Sequence, residues 1–145
     1  MTTAYIGLHG YPGRYFNTGS TNSELIVMDV VVASKNMTIA SPGIVEIEIE
    51  GDYFIACAVN LDAYSTNNSQ HQGKIMVWHT PSANPLYSGS IISFPFWGTT
   101  AVDFNECTVS GSLVRHLMPG DKISLLIFDD PVFIYQSTLT LVLLG

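Results

Sequence analysis

The chain has 145 residues, 47% of them hydrophobic and only 12% charged, with 5 Lys plus Arg against 12 Asp plus Glu and a formal charge of -7. That length fits one domain able to bury a core without a metal or disulfide, and the five cations (Arg14, Lys35, Lys74, Arg115, Lys122) never cluster, which excludes a general grip on nucleic acid. The longest unbroken apolar runs, such as Leu141 to Leu144, fall far short of the ~20 residues of a membrane-spanning helix, and so low a charged share predicts that much of the surface is covered in an assembly.

Residues 1–23 carry Gly7, Gly10, Pro12, Gly13 and Gly19 among the large apolar groups Tyr5, Ile6, Tyr11, Tyr15 and Phe16. The punctuation excludes a helix, and the aromatics argue against a purely solvated linker. The segment reads as an extended arm, 1–23, docking on an assembly through Tyr5, Tyr11, Tyr15 and Phe16; a first strand of the same domain is the alternative. Its start lacks the basic residues and apolar run of a secretory leader, so the chain reads as unsecreted by that route.

From Glu24 onward, runs rich in Val, Ile, Leu, Phe and Tyr recur at 25–33, 37–40, 44–50, 53–61, 74–79, 86–93, 101–109, 112–117, 122–128 and 132–143. Turn residues such as Ser41-Pro42-Gly43, Gly51-Asp52 and Pro119-Gly120-Asp121 separate them. No window sustains a helical apolar stripe with caps, so 24–145 is predicted to be one all-β domain of sandwich or jelly-roll type. Within it, Val45, Ile47 and Ile49 alternate with Glu46, Glu48 and Glu50, the period of a half-buried strand whose acidic face meets water. Tyr53 to Val59 is apolar on both sides, and 123–128 and 139–144 repeat the pattern. Without helices to lie over the sheet, the predicted cover is another copy of the chain.

Residues capable of catalysis or metal binding are sparse. His9, His71, His79 and His116 stand apart without metal-ligand spacing, and neither a nucleophile elbow nor a phosphate loop is present. No catalytic residue, cofactor or metal is predicted, and the acidic turns read as solvated. The polar stretch 64–73 is a candidate recognition loop for a sugar or receptor through Asn67, Asn68 and His71. Phe94-Pro95-Phe96-Trp97 reads either as a contact between copies or as an anchor for a partner. Cys57 and Cys107 lie in separate strand-like runs, as two buried reduced thiols or as a disulfide.

Gly43 to Phe54, an alternating strand followed by Gly51-Asp52-Tyr53, resembles the signature of the C1q and tumour-necrosis-factor-like domains. Ser110 to Leu125 is similar to that family's next segment, two strands joined by a Gly-Asp turn, and Ser137 to Leu144 to its closing strand. One departure is Leu139, where the family usually has an aromatic residue. The resemblance implies a ten-stranded antiparallel jelly-roll sandwich packed as a homotrimer, one sheet of each subunit lining the threefold axis. The trimer interface is then expected at Tyr53, Phe54, Ala56, Ala58, Leu126, Phe128, Leu141 and Leu143. Two non-enzymatic functions follow. The first is a virion-surface protein (capsid decoration, cement or head fibre) that sits on the capsid exterior with the major capsid protein as partner, suggested by the low charge and the aromatic arm. The second is a recognition module whose trimer loops bind a receptor or glycan.

Overall fold

The computed structural model describes residues 2–16, 23–63, 71–98, 105–128 and 132–145. The strands in chain order are β1 (Tyr5–Gly10), β2 (Arg14–Phe16), β3 (Ser23–Leu25), β4 (Val30–Lys35), β5 (Met37–Ser41), β6 (Ile44–Ile47), β7 (Gly51–Ala63), β8 (His71–Thr80), β9 (Gly89–Gly98), β10 (Asn105–Leu117), β11 (Lys122–Phe128) and β12 (Val132–Leu143). One turn of 3-10 helix, Pro85–Tyr87, precedes β9 and is capped by the Asn84 side chain.

Two antiparallel sheets face each other. The first runs β10-β7-β12-β1-β4 and the second β5-β6-β11-β8-β9. These paths supply the ten strands expected. The three-residue strands β2 and β3 are additions, pairing with β12 and β11. The core lies between the sheets. Ile6, Leu8, Tyr53, Ile55, Val59, Leu61, Leu139 and Leu141 enter it from the first sheet, and Val45, Ile47, Ile75, Val77, Ile123, Leu125 and Ile127 from the second, all 2% exposed or less. Each set is spaced at two residues along its strand, the spacing by which a pleated strand puts alternate side chains on one face. Tyr53 is the largest of them, and its hydroxyl donates to the Ile49 carbonyl at 2.6 Å, so its polar end is satisfied inside.

Several expectations change. Tyr5–Gly10 is not part of a free arm, because β1 lies inside the first sheet, paired with β12 from Tyr5↔Val142 to Gly10↔Ser137 and with β4 on its other side. Ile6 and Leu8 are core residues, and burying them requires the strand to stay in place. The run 25–33 does not form one strand. After β3, Ile26 and Met28 are fully buried in a non-strand crossing, and the chain then enters β4 at the edge of the other sheet. The break expected at Ser110-Gly111-Ser112 is absent, since β10 continues through it. Gly111 is needed there for closeness: a Cβ at this position would sit 2.2 Å from the Phe94 ring. The Glu-bearing strand ends at Ile47, with Val45 and Ile47 inward and Glu46 opposite Lys122 and Thr38. At Pro119-Gly120 the chain turns with Gly120 at φ 88°, where any side chain would be strained, and Asp121 N–H donates to Met118 O at 3.0 Å.

Candidate functional site: the open face of the first sheet

Strand β7 is central to the site because it is long, thirteen residues, and paired along its length on both sides. Its inward residues are in the core; its outward ones, between Asp52 and Asp62, are Phe54, Ala56, Ala58 and Asn60. Register builds rows across them. Phe54 lies between Val114 of β10 and Val142 of β12, with Tyr5 of β1 beyond. Ala56 lies between Ser112 and Thr140, with Gly7 beyond, and Ala58 between Ser110 and Thr138, with His9 beyond. The face thus consists of an apolar row beside two rows of small, uncharged side chains on β10, β7 and β12, which continue onto Gly7 and His9 of β1. A Cβ added to Gly7 would meet nothing within 4 Å, so the small-residue band is open above. In the single chain Phe54 is 37% exposed, Val114 59% and Tyr5 36%.

Charge gathers at the rim. Next to the apolar row, His116 Nδ1 is 2.8 Å from Asp52 Oδ1 and His116 Nε2 is 3.1 Å from Glu50 Oε2. The hydrogen bond with Asp52, followed by the one with Glu50, raises the His116 pKa above its ordinary 6.5. A second His–carboxylate pair is structural. Asp121 accepts from the Met118 and Ser82 N–H groups and the Ser82 hydroxyl, and its Oδ2 lies 3.0 Å from His79 Nε2. Burial works against the Asp121 carboxylate, but these hydrogen bonds together hold its pKa below the usual value. Among the described residues, no three His, Cys, Asp or Glu side chains are placed to hold a metal ion.

The residues expected at a trimer interface divide three ways. Phe54, Ala56 and Ala58 are on the open face. Tyr53 and Leu141 are fully buried in the core, and Leu143 packs against it, its Cδ1 2.5 Å from where a Gly51 Cβ would be. Leu126 and Phe128 alternate with the buried Ile123, Leu125 and Ile127 and so face outward from the second sheet, on the opposite side of the sandwich from Phe54. No single flat interface contains both groups. In such uniformly apolar runs the composition carries no sign of which parity points inward. Of the arm residues, Phe16 is 1% exposed and belongs to the core, while Tyr5, Tyr11 and Tyr15 reach solvent. Asn67 and Asn68 lie outside the described residues, and of His71 only its backbone place in β8, opposite Gly98, is described. Phe94 and Phe96 are taken up within the chain, against Gly111 and Gly73. Cys57 is a buried free thiol, its pKa pushed up to about 11 by burial. Its β10 partner is Gly111; Cys107 lies four residues along, opposite Leu61. That offset is about 13 Å, beyond the ~7 Å Cα separation a disulfide tolerates, so the disulfide alternative is excluded.

Sequence reasoning missed Val114, Val142, Ser112, Thr140 and Gly7 as members of this face. A signal existed in β12, where Thr138, Thr140 and Val142 alternate with Leu139, Leu141 and Leu143.

No family model matches the chain, and no curated protein matches it. Solved structures do. Murine APRIL superimposes with a TM-score of 0.69 at 13% identity, over 99% of this chain and 100% of that one. The globular domain of zebrafish complement 1qA protein gives 0.66 at 14%, over 94% of each chain. The fold is the C1q/TNF-like jelly roll. Eiger TNF from S. frugiperda adds a third example, with a TM-score of 0.65 at 12% identity over 98% of this chain and 94% of that one. At such identities the likeness establishes the C1q/TNF-like architecture, and the rows over Phe54, Ala56 and Ala58 are this chain's own.

Proposed function

We propose that this chain is a non-enzymatic, self-assembling recognition module, a homotrimer whose first sheets meet about the threefold axis and whose loops and second sheet face a receptor or glycan. The observation that carries the reading is the open face of the first sheet. From Phe54 to Asn60 the outward positions of β7 and of its neighbours on β10 and β12 are uncharged, and the residues other than Phe54 are small or β-branched apart from Asn60 and Gln136. A face that exposes Phe54, Val114 and Tyr5 yet carries no charge across its middle suits a dry contact with an identical surface. The C1q/TNF-like resemblance implies three copies rather than two, and closed symmetry leaves no such face uncovered.

The virion setting expected from the sequence drew on the low charge and on a free aromatic arm. With Tyr5–Gly10 committed to the sheet, a major capsid protein would have to be met through other surfaces, such as Tyr11 and Tyr15, and the recognition reading takes precedence. Sedimentation equilibrium tests the assembly: a mass of about three times 15.8 kDa is expected, and a stable monomer at micromolar concentration refutes the reading.

A further inference from the structure

At the end of the first sheet remote from Phe54, β7, β12 and β2 bring four side chains around one cup of about 270 Å³: Asp62, Phe133, Tyr135 and Tyr15. A β-bulge builds it. Register in β12 shifts between Ile134 and Gln136, leaving Tyr135 as the extra residue. This shift allows Phe133 and Tyr135 to face outward together with Gln136, Thr138 and Thr140, while Ile134 and Ser137 both point inward. Without the bulge, strict alternation would put Tyr135 and Thr138 on opposite faces.

The rings form walls rather than a stack. Tyr15 and Phe133 have centroids 5.0 Å apart with planes at 78°, and Phe133 and Tyr135 have centroids 4.8 Å apart at 59°. At the base is Asp62, 8% exposed. Its Oδ2 accepts a hydrogen bond from the Tyr135 hydroxyl. Its Oδ1 is buried with no hydrogen-bond partner among the described residues. A buried carboxylate oxygen left unsatisfied is costly, and a structure that retains one at the bottom of an aromatic cup has a place for a donor. Arg14, the cation nearest in sequence to Tyr15, is engaged elsewhere, 2.6 Å from Glu24 Oε1 and stacked 3.7 Å over Phe16.

We propose that this cup is a binding site for an organic cation, an alkylammonium group that retains at least one N–H. The N–H donates to Asp62 Oδ1, and the carbon substituents lie against the faces of Tyr15, Phe133 and Tyr135, where ring quadrupoles favour positive charge. The same chemistry is offered by a free small amine and by a lysine side chain of a partner. Among the described residues the cup is lined by one chain, and it lies on the same outward face of the first sheet as the proposed self-assembly contact, at the end remote from Phe54.

The experiment titrates the full-length protein, in whatever oligomeric state it adopts, with three probes followed by amide NMR shifts of Asp62 and 132–136. Trimethylammonium represents a free amine, n-butylammonium the end of a lysine, and tert-butanol a neutral donor of similar shape. Saturable binding of one or both ammonium probes with Kd on the order of 1 mM is expected, with tert-butanol at least ~10-fold weaker. The stronger ammonium probe identifies the source. Asp62→Asn keeps the shape and an acceptor for Tyr135 but removes the charge, and should weaken binding by about 10-fold or more. Tyr15→Leu takes one wall from an exposed position and should cost several-fold, which decides the matter should Asp62→Asn fail to fold. Equal binding of tert-butanol, unchanged affinity in both variants, or no saturable ammonium binding below about 50 mM overturns the proposal.

Discussion

Phe54→Asp tests the open face directly, because the side chain projects from the sheet and owes little to the core. In the single chain Phe54 is 37% exposed. Of the ~200 Å² that a Phe side chain presents, about 70 Å² is therefore left for a partner to cover, worth about 2 kcal/mol at ~25 cal/mol per Å². Three symmetric copies give about 5 kcal/mol, close to four orders of magnitude in the trimer association constant, before the cost of desolvating three new carboxylates is added. The variant should run as a monomer by mass photometry at concentrations where the parent is trimeric. Its far-UV circular dichroism should be unchanged, since Val114 and Val142 flank the site on a face open to water in the monomer. A fully trimeric Phe54→Asp, or a variant that unfolds instead of dissociating, refutes the assignment of this face.

The neighbouring position should behave oppositely: Tyr53→Phe removes the hydrogen bond to Ile49 O, costing about 1 kcal/mol in urea denaturation, with no change in oligomeric mass. Gly111→Ala places a Cβ 2.2 Å from the Phe94 ring, and chemical denaturation should show a loss of about 1–3 kcal/mol. His116 should titrate above 6.5 by NMR, and Asp52→Asn should lower that midpoint by removing its largest cause. Because the folded pKa is the raised one, whatever stability the His116 contacts supply is fully present below pH 6.5 and is lost as pH rises through the folded value. An Asp52→Asn variant with an unaltered His116 midpoint would show that the geometry at the rim is wrong.

The class of fold, and the core wherever polar residues marked one face, were legible in the order of the amino acids. Val45 and Ile47 against Glu46, the turn at Pro119-Gly120, and the closing run 132–143 all read as they stand in the structure. A strand has only two faces, so one polar side is enough to name the other. Where both sides are apolar that information is missing. Leu126 and Phe54 look equivalent in sequence yet lie on opposite outer faces of the sandwich, because inward parity is decided by which strands pair across the core. The same holds for Tyr5–Gly10, whose glycines suggest an arm until β12 and β4 are seen on either side. The cup needed the tertiary structure most. Tyr15, Asp62 and Tyr135 are far apart along the chain, and they meet because β2 and β7 both pair with β12 beside a one-residue bulge. Alternation reports the local period of a strand; it carries no record of which distant strand lies alongside, and that adjacency produced both the open face and the cup.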